Sequence, residues 1–210
     1  MKAVFLLATL VVPGLSYGAT LNAASVANNG AGGIFMAITA AGSAITVTSF
    51  DLFFDGAAPG TSPVEVYTRP GTYTGFENSN AGWTLTQTVV ANTPGTTATL
   101  APLTLTTGIT IGAGQTLAVY LQSTSFLNGI YYNGNFQAPP TTTWSNVDLS
   151  LFSDTAMIGD VAFSGSLFTS RTLAGNVNYS LGTAAVPEPG TVSLLGLGFA
   201  GLVWLRRRRA

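Results

Sequence analysis

Hydrophobic and polar residues alternate along most of the chain between residues 19 and 186. Residues 117–121 place Leu, Val and Leu on one face, and residues 176–181 alternate Val, Tyr and Leu with Asn and Ser. A period of two residues is typical of β-strands, whose successive side chains point to opposite faces. No segment in this range has a convincing helical period, so we predict strands throughout it.

One of these runs changes phase. In residues 45–54, the hydrophobic side chains occupy odd positions up to Val47 and even positions from Phe50 onward. A slip of one residue in a strand turns its buried side chains toward solvent. A β-bulge, which inserts one unpaired residue, restores the phase. We therefore predict a bulge near Thr48 or Ser49.

Short clusters of Gly, Pro and Asn separate the predicted strands, as at residues 58–60, 69–71, 92–95, 112–114 and 133–135. These residues favour turns, because Gly and Asn tolerate positive φ and Pro fixes φ. Roughly ten strands with no helix between them predict an all-β, antiparallel two-sheet sandwich of the jelly-roll or immunoglobulin-like kind. A closed barrel is the alternative.

The first 18 residues have the order of a secretory signal peptide. Lys2 is followed by an apolar run at residues 3–12, then by the helix-breaking Pro13 and by small residues before Ala19. This order predicts an N-terminal signal helix that is cleaved before Ala19. The alternative is a buried N-terminal strand or helix.

The last residues form a second apolar segment. Residues 191–205 are apolar on all faces, as in a membrane-spanning helix. A proline-flanked glutamate precedes this segment, as Pro187, Glu188 and Pro189. Four arginines follow it, as Arg206, Arg207, Arg208 and Arg209. A helix over residues 191–205 is about 22 Å long, shorter than a bilayer core of about 30 Å. The arginines are expected to stop the helix on the cytoplasmic side.

The Pro-Glu-Pro tripeptide, the apolar segment and the terminal arginines together resemble the PEP-CTERM sorting signal. The resemblance implies that an exosortase, a membrane protease-transpeptidase of Gram-negative bacteria that make exopolysaccharide, processes the protein near Pro187. Together with the predicted signal peptide and strands, the tail divides the chain into a signal peptide (residues 1–18), a β-sandwich domain (19–186) and a sorting tail with one transmembrane helix (187–210). The alternative is a permanent C-terminal membrane anchor, which has the same span and basic stop.

The charge of the central domain limits the kinds of molecule that it can bind. It holds two basic residues, Arg69 and Arg171, and seven acidic ones, for a net side-chain charge of −5. Nucleic-acid binding needs clustered Lys and Arg, so we expect no nucleic-acid partner. The chain has no Cys and no His. Thiol chemistry, His-based metal sites and imidazole-dependent triads are therefore excluded, and we expect no cofactor.

Carboxylates are the remaining acid–base candidates. A glycosidase needs two of them about 5–10 Å apart. The spacing of Asp51 and Asp55, or of Glu65 and Glu77, singles out no such pair, so we predict that the protein is not an enzyme. Three aspartates recur every six residues, at Asp148, Asp154 and Asp160. They suggest calcium as an alternative to ordinary surface aspartates, but we predict no metal site.

Aromatic residues give the clearest sign of binding. Four of them cluster among Gly and Asn around a Pro-Pro loop: Tyr131, Tyr132, Phe136 and Trp144. Aromatic faces beside amide groups can stack on a sugar and bond its hydroxyls. The alternative is that these rings close the end of the sandwich.

We therefore expect a non-catalytic protein that is exported through the inner membrane to the cell surface or extracellular matrix, with transient or permanent C-terminal anchoring. Its expected partners are an exosortase-type enzyme, the inner membrane during sorting, and exopolysaccharide. The alternatives are a carbohydrate-binding module acting on exopolysaccharide and, less favoured, a glycoside hydrolase.

Overall fold

The computed structural model describes residues 18–134 and 141–182, and these residues form twelve β-strands. The strands are β1 (Gly18–Asn22), β2 (Asn29–Ala40), β3 (Ile45–Phe54), β4 (Gly60–Pro70), β5 (Thr84–Thr93), β6 (Ala101–Ile111), β7 (Thr116–Ser123), β8 (Ile130–Tyr132), β9 (Thr143–Ser145), β10 (Leu149–Ile158), β11 (Ser166–Thr169) and β12 (Gly175–Leu181). Within the two described ranges, no helix is long and apolar enough to cross a membrane.

The strands pair in two groups, and every pairing between named strands is antiparallel. The small group has the order β1-β12-β3-β6. The large group has the order β5-β4-β7-β2-β10, with β9 and β11 paired along the outer edge of β10. Strand β8 follows β7 along β2 and also pairs with the end of β3, which joins the two groups.

The two groups share one main core. The small group contributes Val47, Phe50, Leu52, Leu103 and Val177, and the large group contributes Ile34, Met36, Val66, Val119 and Leu151. Burial of these apolar side chains is the main favourable contribution to folding. The predicted all-β, antiparallel fold is confirmed, and the shared core makes it sandwich-like. The predicted signal helix and transmembrane helix lie outside the described residues.

The predicted β-bulge is confirmed at Thr48. In the register between β3 and β12, Ser49 pairs with Asn178 and Val47 pairs with Tyr179, so Thr48 is the extra residue. The register between β3 and β6 shifts at the same place. Hydrophobic residues on both sides of the bulge consequently face the main core.

Strands β2 and β7 are buried on both faces. Their second face, on the outside of the large group, lies under the loops of residues 71–83 and 159–165. Seven aromatic residues pack there, and we call them the aromatic cluster: Phe35, Tyr67, Tyr73, Trp83, Tyr120, Phe152 and Phe163. The cluster forms a second, smaller core.

The two ends of the described domain meet in the small group. Gly18 at the start of β1 pairs with Ser180 near the end of β12. Just beyond β12, the Gly182 amide donates a hydrogen bond of 2.8 Å to the Ala44 carbonyl. The first and last strands of the domain thus run side by side.

Deletion of Thr48 tests the bulge. Without it, Ile45 and Val47 cannot face the core together with Phe50, because the phase is no longer corrected. Loss of their burial should lower the free energy of unfolding by about 3–6 kcal/mol, at 1.5–3 kcal/mol for each side chain. Urea denaturation measures this loss.

The control is Thr48→Ala, which keeps the residue count and removes the hydroxyl and methyl groups of an exposed side chain. We expect this variant to stay within about 1 kcal/mol of the unaltered protein. A deletion no more harmful than this substitution would contradict the role of the bulge.

Candidate functional site

The aromatic residues predicted to bind glycan do not share one surface. Tyr131 and Tyr132 are consecutive in β8, so their side chains point to opposite faces. Tyr132 is fully buried in the main core, whereas Tyr131 is half-buried. Trp144 lies in β9, half-buried against the edge of the main core. Phe136 lies outside the described residues.

Trp144 lines a cleft of about 320 Å³, which we call the Trp144 cleft. The other residues that line it are Ala23, Ala24, Ser25, Val26, Asn133 and Thr141. An indole beside amide and hydroxyl groups has the chemistry of a sugar subsite. Glycan binding by the predicted aromatic residues stays a prediction, and Trp144 is the member with a cleft in front of it.

The surroundings of Tyr132 indicate a role in stabilising the fold. No hydrogen-bond partner for its hydroxyl is found within the described residues. Burial raises the pKa of Tyr132 to about 12, and the nearby positive charge of Arg171 opposes that rise. A buried hydroxyl without a partner lowers stability, so this residue contributes through its ring.

Several carboxylates are held by hydrogen bonds. Three of them accept a hydrogen bond from a tyrosine hydroxyl: Glu65 from Tyr67 (2.8 Å), Asp154 from Tyr73 (2.6 Å) and Asp148 from Tyr179 (2.8 Å). Asp51 accepts from the amides of Asn176 and Asn178 at 3.1 and 3.0 Å. Burial, followed by the bond to Glu65, raises the pKa of Tyr67 to about 12. These acids therefore serve to fix neighbouring side chains.

The three evenly spaced aspartates are not brought together as ligands. Asp148 precedes β10, Asp154 lies within it and Asp160 follows it. Across residues 18–134 and 141–182, no three acidic side chains are grouped so that they could hold a metal ion.

A second cleft lies over the outer face of the large group. It measures about 390 Å³, and we call it the Tyr67 cleft. Its lining residues are Tyr67, Asn78, Ser79, Asn80, Ala162 and Phe163. Sequence reasoning missed this cleft. The polar run at residues 78–80 is visible in the sequence, but its proximity to Tyr67 and Phe163 depends on the folding of two loops.

The rings of Tyr67 and Phe163 meet edge to face in this cleft, with centroids 5.0 Å apart and planes at 77°. Tyr67 stands on β4 beside Tyr120 of β7, its partner in the register. Phe163 adopts a φ of 60°, which is uncommon for a residue with a side chain. Ring contacts to Tyr120 and Trp83 accompany this backbone conformation.

Comparison with known proteins bears on the C-terminal tail. A family model of the PEP-CTERM protein-sorting motif matches residues 185–209. This range includes the predicted motif residues Pro187, Glu188 and Pro189 and the four arginines, all outside the described residues. No match to the chain was found among curated proteins. The chain therefore carries a PEP-CTERM protein-sorting motif at residues 185–209, and this motif implies processing by an exosortase-type membrane enzyme.

Replacement of Tyr132 by Phe tests its structural role. The substitution removes a buried hydroxyl without a described partner and keeps the ring. We expect Tyr132→Phe to raise the free energy of unfolding by about 1 kcal/mol. Because the folded pKa lies above the ordinary value, the unaltered protein should lose stability between about pH 10 and pH 12, and the variant should lose less. Urea denaturation at pH 7 and at pH 11 measures both effects.

Tyr179→Phe is the matched control. The Tyr179 hydroxyl donates to Asp148 and accepts from Asn146, both at 2.8 Å. Its removal should lower stability by about 1 kcal/mol. A Tyr132→Phe variant that loses as much as Tyr179→Phe would show that the Tyr132 hydroxyl has a stabilising partner.

Proposed function

We propose that this protein is a non-catalytic component of the bacterial cell surface or extracellular matrix, delivered there by exosortase sorting. The observation that carries the proposal is the PEP-CTERM motif at residues 185–209, which directly follows a folded β-domain. The motif supports an exported, exosortase-sorted protein. The surface location and the non-catalytic role are inferred from the features below.

The last strand of the domain ends a few residues before the motif begins. β12 ends at Leu181, and Gly182 is still bonded to the domain through Ala44. The main core draws its residues from Leu21 to Tyr179. All of these described core residues precede the matched range, 185–209. Removal of the tail during sorting would leave all of these core residues in the processed protein.

The side-chain chemistry favours a structural or binding role. Without His or Cys, a hydrolytic mechanism would depend on carboxylates. Three carboxylates accept hydrogen bonds from tyrosine hydroxyls, namely Asp148, Asp154 and Glu65. Asp51 is bonded to two asparagines. These interactions position neighbouring residues and favour a non-catalytic domain.

In the proposed route, the signal peptide of residues 1–18 directs export, and cleavage leaves Ala19 at the beginning of the domain. The apolar residues 191–205 then hold the domain at the inner membrane, with the arginines on the cytoplasmic side. Exosortase cuts near Pro187 and releases the domain to the surface or the exopolysaccharide.

Sorting is tested by the intact mass of the protein extracted from the cell surface. The processed protein should lack about the last 20 residues. Replacement of Pro187, Glu188 and Pro189 by Ala should leave the tail in place and keep the protein in the inner-membrane fraction. A variant with Pro139→Ala and Pro140→Ala, outside the matched range, is the control and should be processed normally. A full-length tail on the unaltered surface protein would show permanent anchoring instead.

A carbohydrate-binding role is the second candidate, favoured by the Trp144 cleft. If this cleft holds exopolysaccharide, Trp144→Ala should weaken retention on the polysaccharide by about tenfold or more, because stacking is lost. Pull-down on immobilised exopolysaccharide measures retention, with the exposed Val147→Ala as a control. Unchanged retention of Trp144→Ala would exclude this cleft.

A further inference from the structure

We propose that the Tyr67 cleft is a binding site for a neutral sugar chain. The site is separate from the Trp144 cleft and goes beyond the sorting function proposed above. A rigid aromatic wall, a polar rim of amides and a hydroxyl, and a local charge balance that disfavours anions all support it.

The aromatic wall is part of a ladder that crosses three strands. Tyr67 of β4 faces Tyr120 of β7, and Tyr120 faces Phe35 of β2 in the register of the large group. The rings of Phe35 and Tyr120 are stacked, with centroids 3.8 Å apart and planes within 2°. Tyr67 continues the stack at 5.9 Å from Tyr120. Tyr120 and Phe35 are fully buried, so they support Tyr67 from behind, and Tyr67 itself is partly buried at the end of the ladder.

The opposite wall belongs to the loop of residues 159–165. The buried Gln122 side chain donates a hydrogen bond of 2.7 Å to the Gly159 carbonyl. At the other end of the loop, the Gly165 amide lies 3.3 Å from the Met157 sulfur. Between these two attachments, Phe163 turns its ring toward Tyr67. A loop fixed at both ends loses little freedom when a ligand binds.

The polar rim comes from exposed residues of the loop between β4 and β5, namely Asn78, Ser79 and Asn80. The rim is also held in place. The Trp83 amide donates to the Asn80 carbonyl at 3.1 Å, and the Trp83 indole donates to the Phe76 carbonyl at 2.9 Å. The two Asn side chains each offer donors and an acceptor, which suits the hydroxyls of a sugar. Aromatic faces with a few convergent polar groups are the usual composition of a small-molecule site.

The charge around the cleft points to a neutral ligand. Glu65 lies beside the cleft and accepts a hydrogen bond from the Tyr67 hydroxyl. Glu77 directly precedes the polar rim, and Asp160 lies on the Phe163 loop. Arg69 contacts the same loop as the rim, with its guanidinium 3.5 Å from the centre of the Phe76 ring and a hydrogen bond to the Thr72 carbonyl. Three carboxylates against one guanidinium give these segments a net negative charge, which repels phosphate and polyanionic sugars.

The test is calorimetric titration of the protein without its sorting tail, residues 19–182, with neutral hexaoses of glucose, mannose and galactose. All described residues of both cores lie within this range. We expect binding of at least one hexaose, and a loss of affinity of about tenfold or more for Tyr67→Ala and for the double variant Asn78→Ala with Asn80→Ala. Tyr67→Phe keeps the ring and should bind within about threefold of the unaltered domain.

Two control variants make the result specific. Asn92→Ala removes an exposed asparagine of β5 that does not line the cleft, and it should bind normally. Val147→Ala, at an exposed residue that lines neither cleft, is the second control and should also bind normally. Trp144→Ala shows whether the same hexaose binds in the Trp144 cleft. The Asn variants are at the surface, so they test the cleft even if Tyr67→Ala fails to fold. Absence of binding to all three hexaoses, or loss of binding only in Trp144→Ala, would overturn the proposal. Neither result would change the outcome of the intact-mass measurement that tests sorting.

Discussion

Burial of strand β2 on both faces is the constraint on which the rest of the domain depends. One face of the strand supplies Ile34, Met36 and Ile38 to the main core, and the other supplies Phe35 and Ala37 to the second, smaller core. Backbone hydrogen bonds can be satisfied in such a strand only by partners on both sides, and β7 and β10 provide them. Its second apolar face must also be covered, because exposed aromatic surface is unfavourable in water. The loops that cover it create the Tyr67 cleft at their margin.

Much of this fold could be predicted because local alternation and sheet geometry agree. The change of phase around Thr48 is a direct consequence of the two-residue period, and the bulge lies where that period requires it. Alternation alone does not reveal what covers the outer face of a strand. Tyr120 and Phe35 look like ordinary alternating residues in the sequence, yet they stack because β7 and β2 are neighbours. The shortest strands, such as β8 and β9, have too few residues to show a period.

The candidate sites were harder to predict from the sequence than the fold was. Tyr131 and Tyr132 are adjacent in the chain, and this adjacency is what separates them, because neighbours in a strand face opposite ways. Conversely, Tyr67 and Phe163 are far apart in the chain and meet in space. The sorting tail was readable because its signal is linear: a tripeptide, an apolar run and a basic cluster in a fixed order. A membrane enzyme that reads such a tail needs no information from the folded domain.

The pairing of β1 with β12 has a consequence for the timing of folding. A chain that crosses the membrane from its N-terminus presents β1 first and β12 last among the strands of the domain. Strand β12 lies between β1 and β3, so the small group stays incomplete until the end of the domain has emerged. Contacts between such distant segments form slowly, because a long loop must close before they are made. A pause of the tail in the bilayer would give the domain time to complete this closure before its release.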